Sequence, residues 1–289
     1  MKKRVYLCFD IGATTTKIAY IDIDTLKVIA RNVFNTIESN KLFSVDYLIK
    51  NVTNEISNGI NEYSIMEIGI STSGGVDMDT CEISFCNKTM SGYVGTNWRT
   101  IIKEKFNIKT TVLNDVKAAG LSEFSNRKIS SGVMVTLGTG FGAAIYIDGK
   151  LYAGNRFCAG EVGQMMWPFN HSITVDTACS AVVTTNKIRE MIKDQNFKLT
   201  DSEKIKNIPE ALLVKEQWMK NVAYILKVLN YFYDPQVFII GGGVSKHKEL
   251  IFEIVNFLPS SFKQVEVAKD ENDAAFFGLI IAMKNTKRN

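Results

Sequence analysis

Three glycine-bearing turns and one Asn-Asp pair are the places in this chain where residue type and spacing could do chemistry. In DIGATTTK at 10–17, Asp10 ends a strand-like run, Gly12 lets the backbone turn, and Thr14 opens a row of hydroxyls and amides. A turn of this kind can hold phosphate oxygens, and a carboxylate beside it can hold Mg²⁺ through water. A plain polar hairpin would read the same way. LGTGFGA at 137–143 carries Gly138, Thr139 and Gly140 in a G-x-G-x-x-A pattern. A dinucleotide fingerprint would need a helix next, whereas GAAIYIDGKLY is strand-like, so the glycines shape a loop between antiparallel strands. That loop is a phosphate cradle or a simple bend. GGGVS at 241–245 brings Gly241, Gly242 and Gly243 after a buried strand. Backbone without side chains can approach a large flat group such as an adenine with its ribose. A tight turn explains a lone triple glycine equally well; it is the succession of three such turns in one chain that points to a nucleotide. No G-x-x-x-x-G-K-[ST] segment occurs, so P-loop chemistry is not expected.

Asn114-Asp115 closes the strand TTVLN and opens the helix DVKAAGLSEF. Capping alone could explain an acid at a helix start. The chemical alternative is a carboxylate that takes the proton from a hydroxyl attacking a phosphate. One carboxylate does both with difficulty, so the cap is assigned to Asn114 or water and the chemistry to Asp115.

These residues need elements to position them. RVYLCFD, TTKIAYID and LKVIARNVF read as three antiparallel strands, and Val45, Leu48, Ile49, Val52, Ile56 and Ile60 recur at helical spacing between Ser44 and Tyr63. IMEIGIS reads as a buried strand, NWRTIIKEKF as a helix, and the alternation predicts an α/β fold. The strand-turn-strand pattern then recurs: residues 10–22 laid over 136–148 pair Gly12 with Gly138 and Tyr20-Ile21-Asp22 with Tyr146-Ile147-Asp148. Two related halves, each presenting a turn to one cleft, are the expected organisation. Helices are expected over Asp176–Lys193, over Pro209–Tyr233 with an apolar stripe of Leu212, Trp218, Val222, Ile225, Leu229 and Phe232, and from Asn272 to Lys284.

The 289 residues suit two domains, and a chain 46% hydrophobic and 22% charged without low-complexity tracts is not a disordered one. A scattered net charge of +4 argues against nucleic acid as a partner. No apolar run approaches membrane-spanning length, and MKKRVYLCFD reads as a first strand of a cytoplasmic protein. The five cysteines form no C-x-x-C pair and are expected to be reduced structural thiols.

Taken in order, DIGATTTK, SGGVD at 73–77, LND at 113–115, LGTGFG, AGEVGQ at 159–164 and IIGGGVS resemble the ROK sugar kinases of the actin-like ATPase superfamily. The resemblance implies two actin-like, ribonuclease H-like α/β domains with a cleft between them. The small domain would be 1–115 plus 272–289 and the large one 116–271. It assigns Asp10, Gly12 and Thr14 to a first phosphate loop, with Asp10 toward Mg²⁺, Gly138, Thr139 and Gly140 to a second, and Gly241–Gly243 to the adenosine pocket of ATP. Gly74, Asn87, Asn114, Asp115 and Glu161 become sugar contacts, with Asp115 the base. Two departures stand out. Gln164 replaces a common His, and a zinc knot ending in a sugar-binding Glu is replaced by MMWPFNHSITVDTACS, where Asp176 is the nearest substitute. Cys158, His171 and Cys179 do not make a four-coordinate site, so no structural zinc is expected. The resemblance implies an ATP- and Mg²⁺-dependent kinase acting on a hydroxyl, the 6-OH of a hexose or glycoside, as a homodimer. β-Glucoside kinases, which take disaccharides, are among the zinc-free relatives. The rival is a non-catalytic sugar sensor of the same family. ROK repressors carry a helix-turn-helix before the first phosphate motif, and with that motif beginning at Asp10 none is expected here.

Overall fold

The computed structural model describes residues 2–86, 88–260, 262, 264–269 and 273–285. Two compact units emerge from the contacts: Met1–Ser122 with Gly154–Cys158 and Asn272–Asn289, and Glu123–Ala153 with Ala159–Glu271.

The first unit begins with the meander β1 (Lys3–Ile11), β2 (Thr15–Asp22) and β3 (Val28–Asn35). Helix α1 (Val45–Glu62) follows, its start fixed by Ser44 Oγ accepting the Tyr47 amide. Leu48, Val52 and Ile56 of the sequence pattern are fully buried, while Val45, Ile49 and Ile60 pack at the margin of the same core. Next come β4 (Tyr63–Thr72), the short hairpin β5 (Gly75–Val76) and β6 (Ile83–Phe85), α2 (Trp98–Phe106), β7 (Thr110–Asn114) and α3 (Asp115–Arg127). The sheet order is β3-β2-β1-β4-β7, with β1, β4 and β7 parallel. Register places Asp10 opposite Ser71 and Thr72 opposite Asn114, so the carboxyl ends of the three parallel strands share one sheet end. In open α/β sheets that is where ligands bind.

The second unit repeats the plan. Its meander is β8 (Gly132–Leu137), β9 (Phe141–Ile147) and β10 (Lys150–Tyr152), followed by the hairpin β11 (Met166–Trp167) and β12 (Asn170–Thr174). Helices α4 (Val175–Ala178), α5 (Ala181–Ile192), α6 (Ser202–Ile205) and α7 (Pro209–Tyr233) precede β13 (Val237–Gly241), α8 (Lys248–Val255) and β14 (Val265–Val267). The sheet order β10-β9-β8-β13-β14 matches that of the first unit strand for strand. The weak internal identity is thus a repeat of topology. Trp218, Val222, Ile225 and Leu229 of α7 enter the core, where truncating a residue like Trp218 costs about 3–5 kcal/mol. Phe232, assigned to the same stripe by spacing, is 78% exposed, and Leu212 is also at the surface.

The chain closes with α9 (Ala274–Asn285), which returns to the first unit and packs on β1, β4 and β7. The single helix expected over Asp176–Lys193 is two helices. The chain breaks at Ser180, whose Oγ accepts the Val183 amide to start α5 and donates to Thr139 O. Spacing could not reveal the break, because the apolar pattern continues across it while the polar contact is long-range. Among the described residues, no helix is long and apolar enough to cross a membrane.

Candidate active site

In the first unit, β1 and β2 pair as far as Ile11 and Thr16, and the Gly12 amide donates to Thr15 O at 3.1 Å to close the turn. Thr14 O accepts the Thr36 amide, and the Thr16 and Thr36 hydroxyls share a 2.9 Å hydrogen bond beneath it. Asp10 stands at the entry of this turn. Ser71 Oγ donates to its Oδ1 at 3.0 Å, and Lys17 Nζ lies 3.8 Å from Oδ2. Burial pushes the Asp10 carboxyl above the ordinary aspartate value, opposed by the Lys17 charge and the Ser71 hydrogen bond. A single, one-fifth exposed carboxylate matches a magnesium ion held chiefly by nucleotide phosphates, and no cluster of three or more His, Cys, Asp or Glu that could hold a metal exists among the described residues.

At the same sheet end, Asn114 organises the segment assigned to the sugar. Its Nδ2 donates to Gly74 O at 2.9 Å and to Asp115 Oδ1 at 3.0 Å, and its Oδ1 accepts the Lys117 amide at 3.1 Å. Asn114 therefore caps α3. Asp115, half-buried, accepts the Val116 amide at 2.8 Å through the same Oδ1, which fixes the direction of its carboxylate. Gly74 has φ +95°, and a Cβ there would lie 2.5 Å from Phe85 O, so only glycine fits the turn. Thr72, just before it, is held by the buried Tyr93 hydroxyl, which also accepts from Trp98 Nε1. Behind the acid, the buried Lys117 ammonium donates to Phe157 O.

The second unit holds the other two glycine turns, and it brings them together. Leu137 and Phe141 form the last pair of the β8–β9 hairpin, and a Cβ on Gly138 would lie 3.7 Å from the Gly243 amide nitrogen. Gly241 ends β13 and Gly243 starts a 3-10 turn through Lys246. Beside them opens a cavity of about 270 Å³ whose lining includes Gly138, Asn186, Arg189, Lys198, Gly243 and His247. Asp176 is turned onto the hairpin, its Oδ1 accepting the Phe141 amide at 2.7 Å. Glu161 precedes the 3-10 turn Val162–Gln164, with Gln164 donating its amide to Glu161 O; the Gln164 side chain is exposed. Asn87 lies outside the described residues.

Several of these neighbours carried no sequence signal. Ser71 and Lys17 reach Asp10 through strand register, and Arg189 lines the cavity from α5. Taken unit by unit, an acid at a capped helix start in the first and glycine turns beside a cavity in the second are each of a kind that phosphoryl transfer uses, since that reaction depends on positioning and charge stabilisation.

An N-acetylmannosamine kinase of Vibrio cholerae is 24% identical to this chain over 297 residues, covering 96% of this chain and 99% of the relative. Among solved structures, a ROK family protein of Streptococcus pneumoniae in complex with sucrose is 20% identical with a TM-score of 0.81, covering 99% of this chain and 100% of that one. A ROK family glucokinase of Streptomyces griseus in complex with glucose and AMPPNP is 17% identical with a TM-score of 0.79, covering 97% and 99%. The sequence profile of the ROK family matches residues 6–285, and the chain belongs to that family.

Proposed function

We propose that this protein is an ATP-dependent sugar kinase that transfers the γ-phosphoryl group of MgATP to a hydroxyl of a hexose or hexose-containing glycoside, the 6-OH in the first instance. The observation that carries the reading is the division of labour at the start of α3. Asn114 supplies the cap by accepting the Lys117 amide, and Asp115, the first residue of the helix, is held in one orientation by the Asn114 side chain and the Val116 amide, both on Oδ1. Asp115 takes the proton of the attacking hydroxyl, the oxygen–phosphorus bond to the sugar forms, and ADP leaves with the electron pair of the broken bond. Because the transition state is loose, orientation of the hydroxyl contributes more than base strength. Gly74, Asn87, Asn114, Glu161 and Gln164 are the proposed sugar contacts. Asp10, Gly12 and Thr14, together with Gly138, Thr139 and Gly140, are the proposed phosphate contacts, and Gly241–Gly243 line the nucleoside pocket. Magnesium, when bound with ATP, neutralises phosphate charge, with Asp10 holding it through water.

The relatives described above, an N-acetylmannosamine kinase and a glucokinase, support a monosaccharide, and the sucrose-bound structure keeps a disaccharide in view. A coupled ADP-release assay across glucose, mannose, N-acetylmannosamine, fructose and cellobiose tests the proposal. Turnover on one of them, abolished by EDTA and restored by magnesium, is the expected result. Sugar binding by calorimetry without turnover on any would replace the kinase with a non-catalytic sugar sensor. The same reading carries a cytoplasmic homodimer, whose stoichiometry sedimentation measures.

A further inference from the structure

Residues running from α4 into the first turn of α5 grip the second glycine turn. The Val182 amide donates to Gly138 O at 3.2 Å, Ser180 Oγ donates to Thr139 O at 2.5 Å, and the Phe141 amide donates to Asp176 Oδ1 at 2.7 Å. Gly140 lies so close to the Asp176 carboxylate that a Cβ there would overlap Oδ1, and a Cβ on Gly163 would come within 3.2 Å of the same oxygen. Asp176 thus fills a slot made by two glycines and one amide.

The geometry of the peptide unit gives this grip a consequence. In a trans peptide the carbonyl of one residue and the amide of the next point in opposite directions. Anchoring the carbonyls of Gly138 and Thr139 on the α5 side therefore turns the amides of Thr139 and Gly140 away from it. Among the described residues, neither amide donates to a protein acceptor. Two adjacent amides aimed the same way form a concavity suited to an anion.

We infer that Asp176 is a positioning residue for the phosphoryl donor: by holding the Phe141 amide in the glycine slot it fixes the Thr139 and Gly140 amides that receive donor phosphate, and it is not a sugar ligand. This rests on the kinase reading and deepens it. The replacement of a sugar-binding Glu by a shorter acid then moves this position from the acceptor side of the reaction to the donor side.

The test is a split in kinetic constants, with amide exchange as a readout that does not depend on turnover. Asp176→Ala is expected to raise KM for ATP about tenfold to a hundredfold while KM for the sugar stays within about twofold. Asp176→Asn, whose amide oxygen can still accept from Phe141, recovers most of the loss. Hydrogen exchange of the Phe141 amide is expected to speed up in Asp176→Ala and return toward the parent rate in Asp176→Asn. Asp176→Ser, too short to reach, is expected to behave as Asp176→Ala and serves if that variant does not fold. A rise in sugar KM with ATP KM unchanged overturns the inference, as does Phe141 exchange that ignores the substitutions. A parent protein that phosphorylates no sugar overturns the kinase reading instead, while the exchange measurement still decides whether Asp176 holds the turn.

Discussion

The two sheets share one strand order, three antiparallel strands followed by two parallel ones, yet their first turns are held by different means. In the first unit the turn after β1 is held by backbone alone, the Gly12 amide donating to Thr15 O and Thr14 O accepting the Thr36 amide, and its acid, Asp10, is part of the strand that enters it. In the second unit the Gly138 amide likewise reaches Gly140 O, but the turn after β8 is also anchored by side chains more than thirty residues further along the chain, and its acid, Asp176, is one of them. Repetition of topology fixes where a turn stands at the sheet edge. It does not fix which side chains anchor it, because anchoring depends on what the connections between strands bring near. The same contrast separates two acids at helix starts. Asp115 has Asn114 beside it to cap α3, whereas Asp176 follows Thr174, whose Oγ1 caps α4 by accepting the Thr177 amide, and turns its own carboxylate to the hairpin.

The hardest blow to this contrast between an acid that reacts and an acid that holds would come from Asp115→Asn. With the cap on Asn114, the variant is expected to fold with an unchanged Tm while kcat falls by about 10²–10⁴. A lower Tm with activity intact would make Asp115 the structural acid after all. Next in size is Gly140→Ala, which drives a methyl into the Asp176 carboxylate and is expected to lower stability by about 1–3 kcal/mol in chemical denaturation. Gly12→Ala has only the Thr15 carbonyl at 3.1 Å to meet and should cost less, so equal losses would erase the difference between the turns. Gly138→Ala sharpens it further. Ordinary contact distance to Gly243 leaves space for a methyl in the free protein, so Tm should hold while KM for ATP rises about tenfold, measured by steady-state kinetics.

The smallest expected effect concerns pH. Burial raises the Asp10 carboxyl, so ionising it costs the folded state: its contribution to stability is intact below the unfolded value near 3.8 and is lost as pH rises through the raised folded value. Asp10→Asn should therefore melt slightly higher than the parent at neutral pH, with the gap closing in acid, while its kinase activity falls. Thermal melts across pH check the sign, and a gap that widens toward acid would reverse it.

The fold was legible in the sequence where periodicity and turn chemistry agreed, as in α1, α7 and both meanders. The break at Ser180, the hairpin β11–β12 and the edge strand β14 were not legible. Each is short, and each is specified by contacts with distant residues that leave no local period. The candidate site divides in the same manner. Glycine turns and the Asn114-Asp115 pair announce themselves by residue type, but Ser71, Lys17 and Arg189 look like any strand or helix surface residue until register and packing place them. Asp176 was singled out by its position relative to a family pattern, and only its hydrogen bond to Phe141 gives that position a different meaning.

Helix α9 carries a consequence for how this chain is made. It covers strands that were translated first: Gly69 on β4 lies against Met283, and Gly278 sits tightly on the Ala118 carbonyl. With synthesis at about 5–20 residues per second, roughly ten to thirty seconds separate the emergence of β7 from that of α9. Throughout that interval the nascent N-terminal sheet carries an uncovered oily face, so in the cell this protein should lean on holdase chaperones during its own translation, and ribosome-bound chains halted before residue 274 should be their clients.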